Sequence, residues 1–360
     1  MLKNKGFTFV FVSLAMMILI ACGSDSNANT NPEETLESGE VPETVPEHMA
    51  ELYLDALEEG EVVFWSANEE EAIRGIAERF NETYPGIEVN HFVIQPGEAV
   101  QRYITEESSG NVTVDIINGS QRFWPPLIER DLVQQLDYKD YGVEETFFDD
   151  RLVSHYHLSY PLAYNTDLVG EDELPTTWDE LLDPKWEGKI GVETRLGTLP
   201  VLSQEWGHEK THEYLDQLLE LDPVILRGGI PTGNAVASGE VAFAIGTYGF
   251  YIEQLKAEGA PIDSVHTDVI PVYNYLAGVL KDAPHPNAAM LFNIWMTSPE
   301  GLAAQEEFLG VGKLAGTEDL TELGQKWQEA GVEILLDEEE NAEEIDKITQ
   351  ELTNKIGALE

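Results

Sequence analysis

The chain has 360 residues, of which 42% are hydrophobic and 24% charged, enough apolar content for one or two full cores and too much for a disordered chain or a small stapled fold. Lys and Arg number 20 against 68 Asp and Glu, a formal net charge of −48, so the surrounding field repels a phosphate backbone and excludes nucleic acid as a partner. The same charge disfavours adhesion to an anionic bilayer, so membrane attachment needs a device other than a basic patch. Acidity this general reads first as adaptation of the surface to high salt or high external pH.

The first element is an address. Lys3 and Lys5 precede an apolar run from Phe7 to Ile20 that carries no acid, followed by small residues and Cys22, the layout of a secretory signal and too short for a comfortable membrane span. Leu19-Ile20-Ala21-Cys22 resembles the bacterial lipobox, which implies cleavage before Cys22 and diacylation of its thiol. Two or three acyl chains give stable anchoring where one gives only marginal binding. Cys22 is the one cysteine, so an intramolecular disulfide and a cysteine-based metal cluster are excluded. Residues 1–21 are read as a lipoprotein signal peptide. Residues 22–52, rich in Ser, Asn, Thr, Glu and Pro up to about Glu47, are read as an acidic flexible tether.

After Gly60 short apolar runs alternate with amphipathic stretches. EVVFWS at 61–66 reads as a strand; Ala72, Ile73, Ile76, Ala77 and Phe80 follow at helical spacing; IEVNHFV at 87–93 is a second strand. Further strands are expected at 114–117, 189–193, 224–227 and 241–245, each followed by a helix-compatible segment, which implies parallel sheets covered by helices. Extended stretches at 159–166 and 264–280 read as two crossings between lobes. One lobe then combines 59–165 with 271–312, and the second spans 166–270. In the remaining 313–360, Ala342, Ile345, Ile348, Leu352, Ile356 and Leu359 mark an amphipathic helix that packs on a lobe. The expected fold is α/β and two-lobed, with a hinge and an interlobe cleft.

Several segments resemble the bacterial extracellular solute-binding proteins of ABC importers, in the branch usually described as ferric-iron binding. They are EGEVVFWSANEEEAIRGIAERFNETYPGIEV (59–89), YPLAYNTDLV (160–169), TTWDELLDPKWEGKIGV (176–192), AVASGEVAFAIGTYGFYIEQLKAEGAPI (235–262) and KDAPHPNAAMLFNIWMTSPEGLAAQ (281–305). The resemblance implies a periplasmic-binding-protein-like fold of type 2 that closes on a small solute and presents it to the membrane permease. It implies no required cofactor, no catalysis, and a monomer held on the outer face of the cell membrane by its lipid.

In open α/β sheets ligands lie beyond the carboxyl ends of the strands, where helix N-termini present positive backbone N–H groups. Those ends here carry Ser66, Asn68 and Glu69; Ser120 and Arg122; Arg195 and Thr198; Thr232 and Asn234; Tyr248 and Tyr251. Hydroxyls, amides and two arginines describe a pocket for a polar or anionic solute. The family's ferric binders use two adjacent tyrosines, often with a His and a Glu from the first lobe. Tyr248 matches the first tyrosine, but Gly249 stands at the second position, Glu69 where the histidine falls, and Gly119-Ser120 in place of the glutamate. Glu69, Tyr248 and Tyr251 remain as the set for direct Fe(III) binding, with an iron complex, a phosphorylated, phosphonate or other anionic solute, or a polyamine-like cation as the alternatives.

Two other signals compete. His208-Glu209-Lys210-Thr211-His212 is a literal HExxH, the pattern in which two histidines one helical turn apart bind zinc and the glutamate acts as base. It carries the alternative of an extracellular zinc hydrolase against that of a solvated helix face. His155 and His157 share one face of an expected strand, either as a metal pair or as hydrogen-bonded neighbours. A surface interaction protein that uses the same lobes without a small ligand is the third alternative.

Overall fold

The computed structural model describes residues 35, 36, 38, 40–143, 145–318 and 320–358. The signal peptide, Cys22 and the beginning of the tether lie outside them. Within them the expected tether is shorter than 22–52. Helix α1 (Ala50–Glu59) follows a 3-10 turn at Glu47–Met49, and Val45, Met49, Leu52, Tyr53, Ala56 and Leu57 are buried in the first core. The acids between these residues give a polar composition, but the helical turn gathers the apolar ones on one face.

Strand β1 (Glu61–Ser66), helix α2 (Glu70–Thr83), strand β2 (Glu88–Val93), helix α3 (Pro96–Ser109) and strand β3 (Ile116–Ser120) form the opening β-α-β-α-β run. Next come β4 (Thr146–Phe147) and β5 (Leu152–Ser159), then β6 (Leu162–Asn165), β7 (Ile190–Glu193), α4 (Thr198–Glu220), β8 (Val224–Leu226), α5 (Gly229–Ala237), β9 (Phe243–Ile245), α6 (Gly249–Ala257) and β10 (Ile262–Val265). The chain closes with β11 (Ile270–Val279), α7 (Pro286–Met296), α8 (Pro299–Leu309), α9 (Glu322–Ala330), β12 (Ile334–Leu336) and α10 (Ala342–Gly357).

These strands make two sheets. The first has the order β2-β1-β3-β11-β5-β4 with β12 alongside β11, and the second has the order β10-β6-β9-β7-β8. The sheets are mixed rather than parallel. The β1, β2 and β3 pairs run parallel, whereas β11 is antiparallel to both β3 and β5, and β6 is antiparallel to β9 and β10. The reason is the crossing itself: the chain leaves the first sheet along β5 and returns along β11, so the two run in opposite directions. β6, placed by its sequence in the stretch 59–165, pairs inside the second sheet, so the first crossing is made by Tyr160 and Pro161.

Each lobe has its own core. Phe64, Phe80, Phe292 and Trp295 interlock in the first, with Phe80 edge-on to Phe292 at 5.2 Å. The Glu59 carboxylate accepts the N–H groups of Asn287 at 3.2 Å and Ala288 at 2.8 Å, so α1 is tied to the positive end of α7. Trp178, Trp186, Leu199, Tyr214 and Phe243 fill the second. The C-terminal segment joins both lobes instead of packing on one. Ala342 enters a first-lobe cluster, Ile345 the cluster at the crossings, and Ile348, Leu352 and Ile356 the second-lobe core. An amphipathic stripe in sequence shows one apolar face; which bodies share that face depends on where β12 leaves the chain.

Candidate functional site

The parallel strands β7, β8 and β9 end along one edge of the second sheet, and helices α4, α5 and α6 begin beside that edge. None of the three has an acidic residue in its first turn or a side-chain cap. In a chain with 68 acids this puts three helix N-termini with no acid of their own in one place, the Glu193 carboxylate at the end of β7 being the one that reaches them. First-lobe helices α2 and α3 instead start with Glu70, Glu71 and Glu98.

The sequence folds tightly there because glycines remove obstructing side chains. A Cβ on Gly229 would lie 2.6 Å from the Tyr248 ring, one on Gly197 2.4 Å from Tyr160, and one on Gly249 2.3 Å from the Ser159 hydroxyl. Tyr248 is therefore laid across the start of α5, and the start of α4 abuts the crossing strand.

Around the crossings five tyrosines gather. Tyr156 stacks on Tyr275 at 4.9 Å, and Tyr160 meets Tyr248 at 5.4 Å and Tyr273 at 5.5 Å edge-on. The Tyr156 hydroxyl donates to Asn118 Oδ1 at 3.1 Å, with Asn68 Oδ1 at 3.4 Å. Burial pushes Tyr275 up to about 12 and Tyr156 and Tyr160 well above the ordinary phenol range. Tyr248 is raised for the same reason, although the neighbouring Arg195 opposes the shift. The cluster presents neutral hydroxyl donors rather than phenolates.

Glu193, at the end of β7, organises the charge. Its Oε1 accepts the Gly228 N–H at 3.2 Å and Arg195 Nε at 3.2 Å, and its Oε2 accepts the Arg195 N–H at 3.0 Å. The Glu193 side chain is 3% exposed and that of Arg195 58%, so the carboxylate is the buried post and the guanidinium the exposed arm. Gly246 takes a positive φ of 98° where a Cβ would lie 2.4 Å from the Glu193 Cβ.

The profile of the bacterial extracellular solute-binding proteins matches residues 66–303, across both lobes. The chain belongs to this family. Among curated proteins none matches. Solved solute-binding proteins share the fold at low identity. Iron-bound HitA from Pseudomonas aeruginosa is 20% identical with a TM-score of 0.63, over 81% of this chain and 99% of that one. AfuA from Actinobacillus pleuropneumoniae, with fructose-6-phosphate bound, is 19% identical with a TM-score of 0.62, over 82% and 97%. Trichodesmium IdiA (FutA), in complex with iron and citrate ligands, is 15% identical with a TM-score of 0.65, over 82% and 98%.

Of the residues expected to line the cleft of this solute-binding protein, Asn68, Arg195 and Tyr248 meet around the crossings. Thr198 stands at the start of α4 with its buried hydroxyl lacking a hydrogen-bond partner. Others are committed elsewhere. Ser66 bonds His91 Nε2 at 2.9 Å and caps the Asn68 N–H at 3.2 Å. Arg122 is held by Asp346 at 2.8 Å and lies 4.1 Å over the Phe123 ring. Ser120 is buried in β3 opposite Tyr275 of β11. The Thr232 hydroxyl donates to the Gly228 carbonyl at 2.9 Å, within its own helix. Tyr251 turns toward α5 and donates to Asn234 at 2.8 Å. Glu69 is exposed at the head of α2.

His155 and His157 do not form a pair: His155 bonds Asn293 at 2.7 Å, and His157 Nδ1 accepts the Leu314 N–H at 3.1 Å. Glu193, Tyr156, Tyr160, Tyr273 and Tyr275 carry no sequence motif that marks them as site residues. The aromatic run SYPLAYNT was visible, but its meeting with Tyr273 and Tyr275 requires the antiparallel β5–β11 pairing. No helix among the described residues is long and apolar enough to cross a membrane.

Proposed function

We propose that this protein captures a small anionic solute between its lobes and delivers it to the transmembrane subunits of an ABC importer. The observation that carries the reading is the set of three acid-free helix ends, α4, α5 and α6, converging beside Arg195 and Tyr248. Backbone N–H groups and a guanidinium bind phosphate or carboxylate oxygens, and neutral tyrosine and asparagine groups complete the contacts. A ferric ion bound as a carboxylate complex belongs to this class, in line with the iron and citrate in Trichodesmium IdiA. Bare Fe(III) is disfavoured because Gly249 stands at the second tyrosine position and Tyr251 donates to Asn234 of α5, which leaves Tyr248 without a second phenol beside it.

The mechanism makes and breaks no bond. Solute binding shifts the lobes from open to closed, the bend falling at Tyr160-Pro161 and at residues 266–269, and the closed form docks on the permease. The chain works as an exported monomer held by lipid on Cys22. Replacing Cys22 by Ser releases it from the membrane fraction into the surrounding fluid, and retention of that variant would sink the anchor.

The binding test is thermal unfolding of the protein, in matched salt, with inorganic phosphate, a sugar phosphate, citrate, ferric citrate and ferric chloride. A solute at 100 times its Kd stabilises the fold by about 2.7 kcal/mol. Stabilisation by an anion that Arg195→Ala removes is the expected result. Stabilisation by ferric chloride alone, lost in Tyr248→Phe, would replace this reading with direct iron binding.

A further inference from the structure

We propose that His208, His212 and Glu351 form a site for a divalent zinc-class ion that clamps α10 onto α4. The two histidines belong to the HExxH pattern, and the third ligand comes from the opposite end of the chain. α4 is interrupted at Gly207, whose φ of 74° and ψ of 167° are not helical. The helix restarts at His208, so His208 and His212 stand one turn apart with ring centroids 4.4 Å apart.

Both rings aim Nε2 at the same carboxylate oxygen. Glu351 Oε2 lies 2.7 Å from His208 Nε2 and 3.0 Å from His212 Nε2, and the three donor atoms all fall within 4.8 Å of one another. Tetrahedral zinc bound at about 2.0–2.1 Å spaces its ligands roughly 3.3 Å apart, so the two nitrogen–oxygen distances need to open by only a few tenths of an ångström. Two imidazoles and one carboxylate select zinc, cobalt or nickel over magnesium and calcium, which prefer all-oxygen sets.

The surroundings fit a clamp. Beneath the cluster Ile348, Leu352 and Ile356 of α10 pack with Tyr214, Leu215 and Leu218 of α4. Farther along both helices Lys355 pairs with Asp216, and at the other end Gln204 is bonded to the Leu336 carbonyl at 2.9 Å and to Asn341 at 3.1 Å. The competing cation Lys210 is turned away to Asp179 at 3.2 Å. The cluster lies farther along both helices than Val201 and Ile345, which pack at the crossings, and so stands apart from the candidate solute site. An ion here would fix α10 to the second lobe, so that closure is taken up where α10 meets the first.

The test uses the full chain in detergent, stripped with chelator and titrated with Zn2+ or Co2+ under excess Mg2+ and Ca2+. One saturable equivalent, a four-coordinate Co2+ absorption band and a raised thermal midpoint are expected. Glu351→Gln and His212→Asn should each weaken Zn2+ binding at least about tenfold with unchanged circular dichroism. In the unsubstituted chain, Zn2+ should also shield His208 and His212 from diethylpyrocarbonate, read by peptide mass. Equal affinity in the parent and Glu351→Gln, no equivalent above the Mg2+ background, or no shielding overturns the site.

Discussion

The guanidinium of Arg122, in the first lobe, lies 2.8 Å from the Asp346 carboxylate on the C-terminal helix. The side chains are 20% and 32% exposed, which makes this a strut between a lobe and the helix that bridges both lobes. Arg122→Ala and Asp346→Ala should each destabilise by about 1 kcal/mol, and a double-mutant cycle should show coupling. Solute affinity should stay within about twofold. A large loss of affinity without coupling to Asp346 would return Arg122 to the ligand site.

Arg195 has the opposite assignment. Its backbone and Nε are held by Glu193 while most of the side chain is exposed. Arg195→Ala should raise Kd for an anionic solute by one to two orders of magnitude, the worth of a charge-assisted hydrogen bond of about 1.5–3 kcal/mol. Arg195→Lys should recover part of it. Calorimetric titration measures both, and an unchanged Kd in the alanine variant would remove Arg195 from the site.

Gly229 offers a geometric check on Tyr248. A Cβ there would meet the tyrosine ring at 2.6 Å, so Gly229→Ala must push the ring off the head of α5. The expected cost is about 1–2 kcal/mol of stability and a Kd raised by roughly tenfold, the equivalent of about 1.4 kcal/mol. Titration of Gly229→Ala with the solute identified by the thermal test reads this directly, and an unaltered affinity would show that Tyr248 does not position the solute.

Stability should fall on both sides of a middle pH range. Burial takes His155 down to about 3, with Lys313 adding to the shift and the Asn293 hydrogen bond opposing it; His157 also falls well below its ordinary value. The unfolded chain takes up protons that the folded one refuses, so stability is lost as pH falls below about 6.5, at about 1.4 kcal/mol per pH unit for each group. Asp337 has the reverse sign. Burial raises it to about 8 against hydrogen bonds from Asn274 and Gln121 and the charge of Arg122. The folded state then holds a proton that the unfolded state has shed, and stability declines from about pH 4 up to 8. Denaturant unfolding across pH should show Asp337→Asn flattening the alkaline side and His155→Gln the acid side.

The alternation of apolar periods places the α/β class, the strand at 61–66 and, but for its first residue, the strand expected at 189–193. These follow from local patterning, since a strand or an amphipathic helix carries its period in consecutive residues. The acid-free, glycine-marked starts of α4, α5 and α6 were also open to view as strand ends with small residues after them.

Tertiary structure alone decided the rest. It turned Ser66, Thr232 and Tyr251 to local partners and gave Arg122 to Asp346. It brought Tyr156, Tyr160, Tyr273 and Tyr275 to Tyr248, and placed Glu351 on two histidines far away in the chain. Side-chain partnership of this kind depends on strand direction and on where the C-terminal helix lands, and both are set by the packing of distant segments rather than by the period of any one of them.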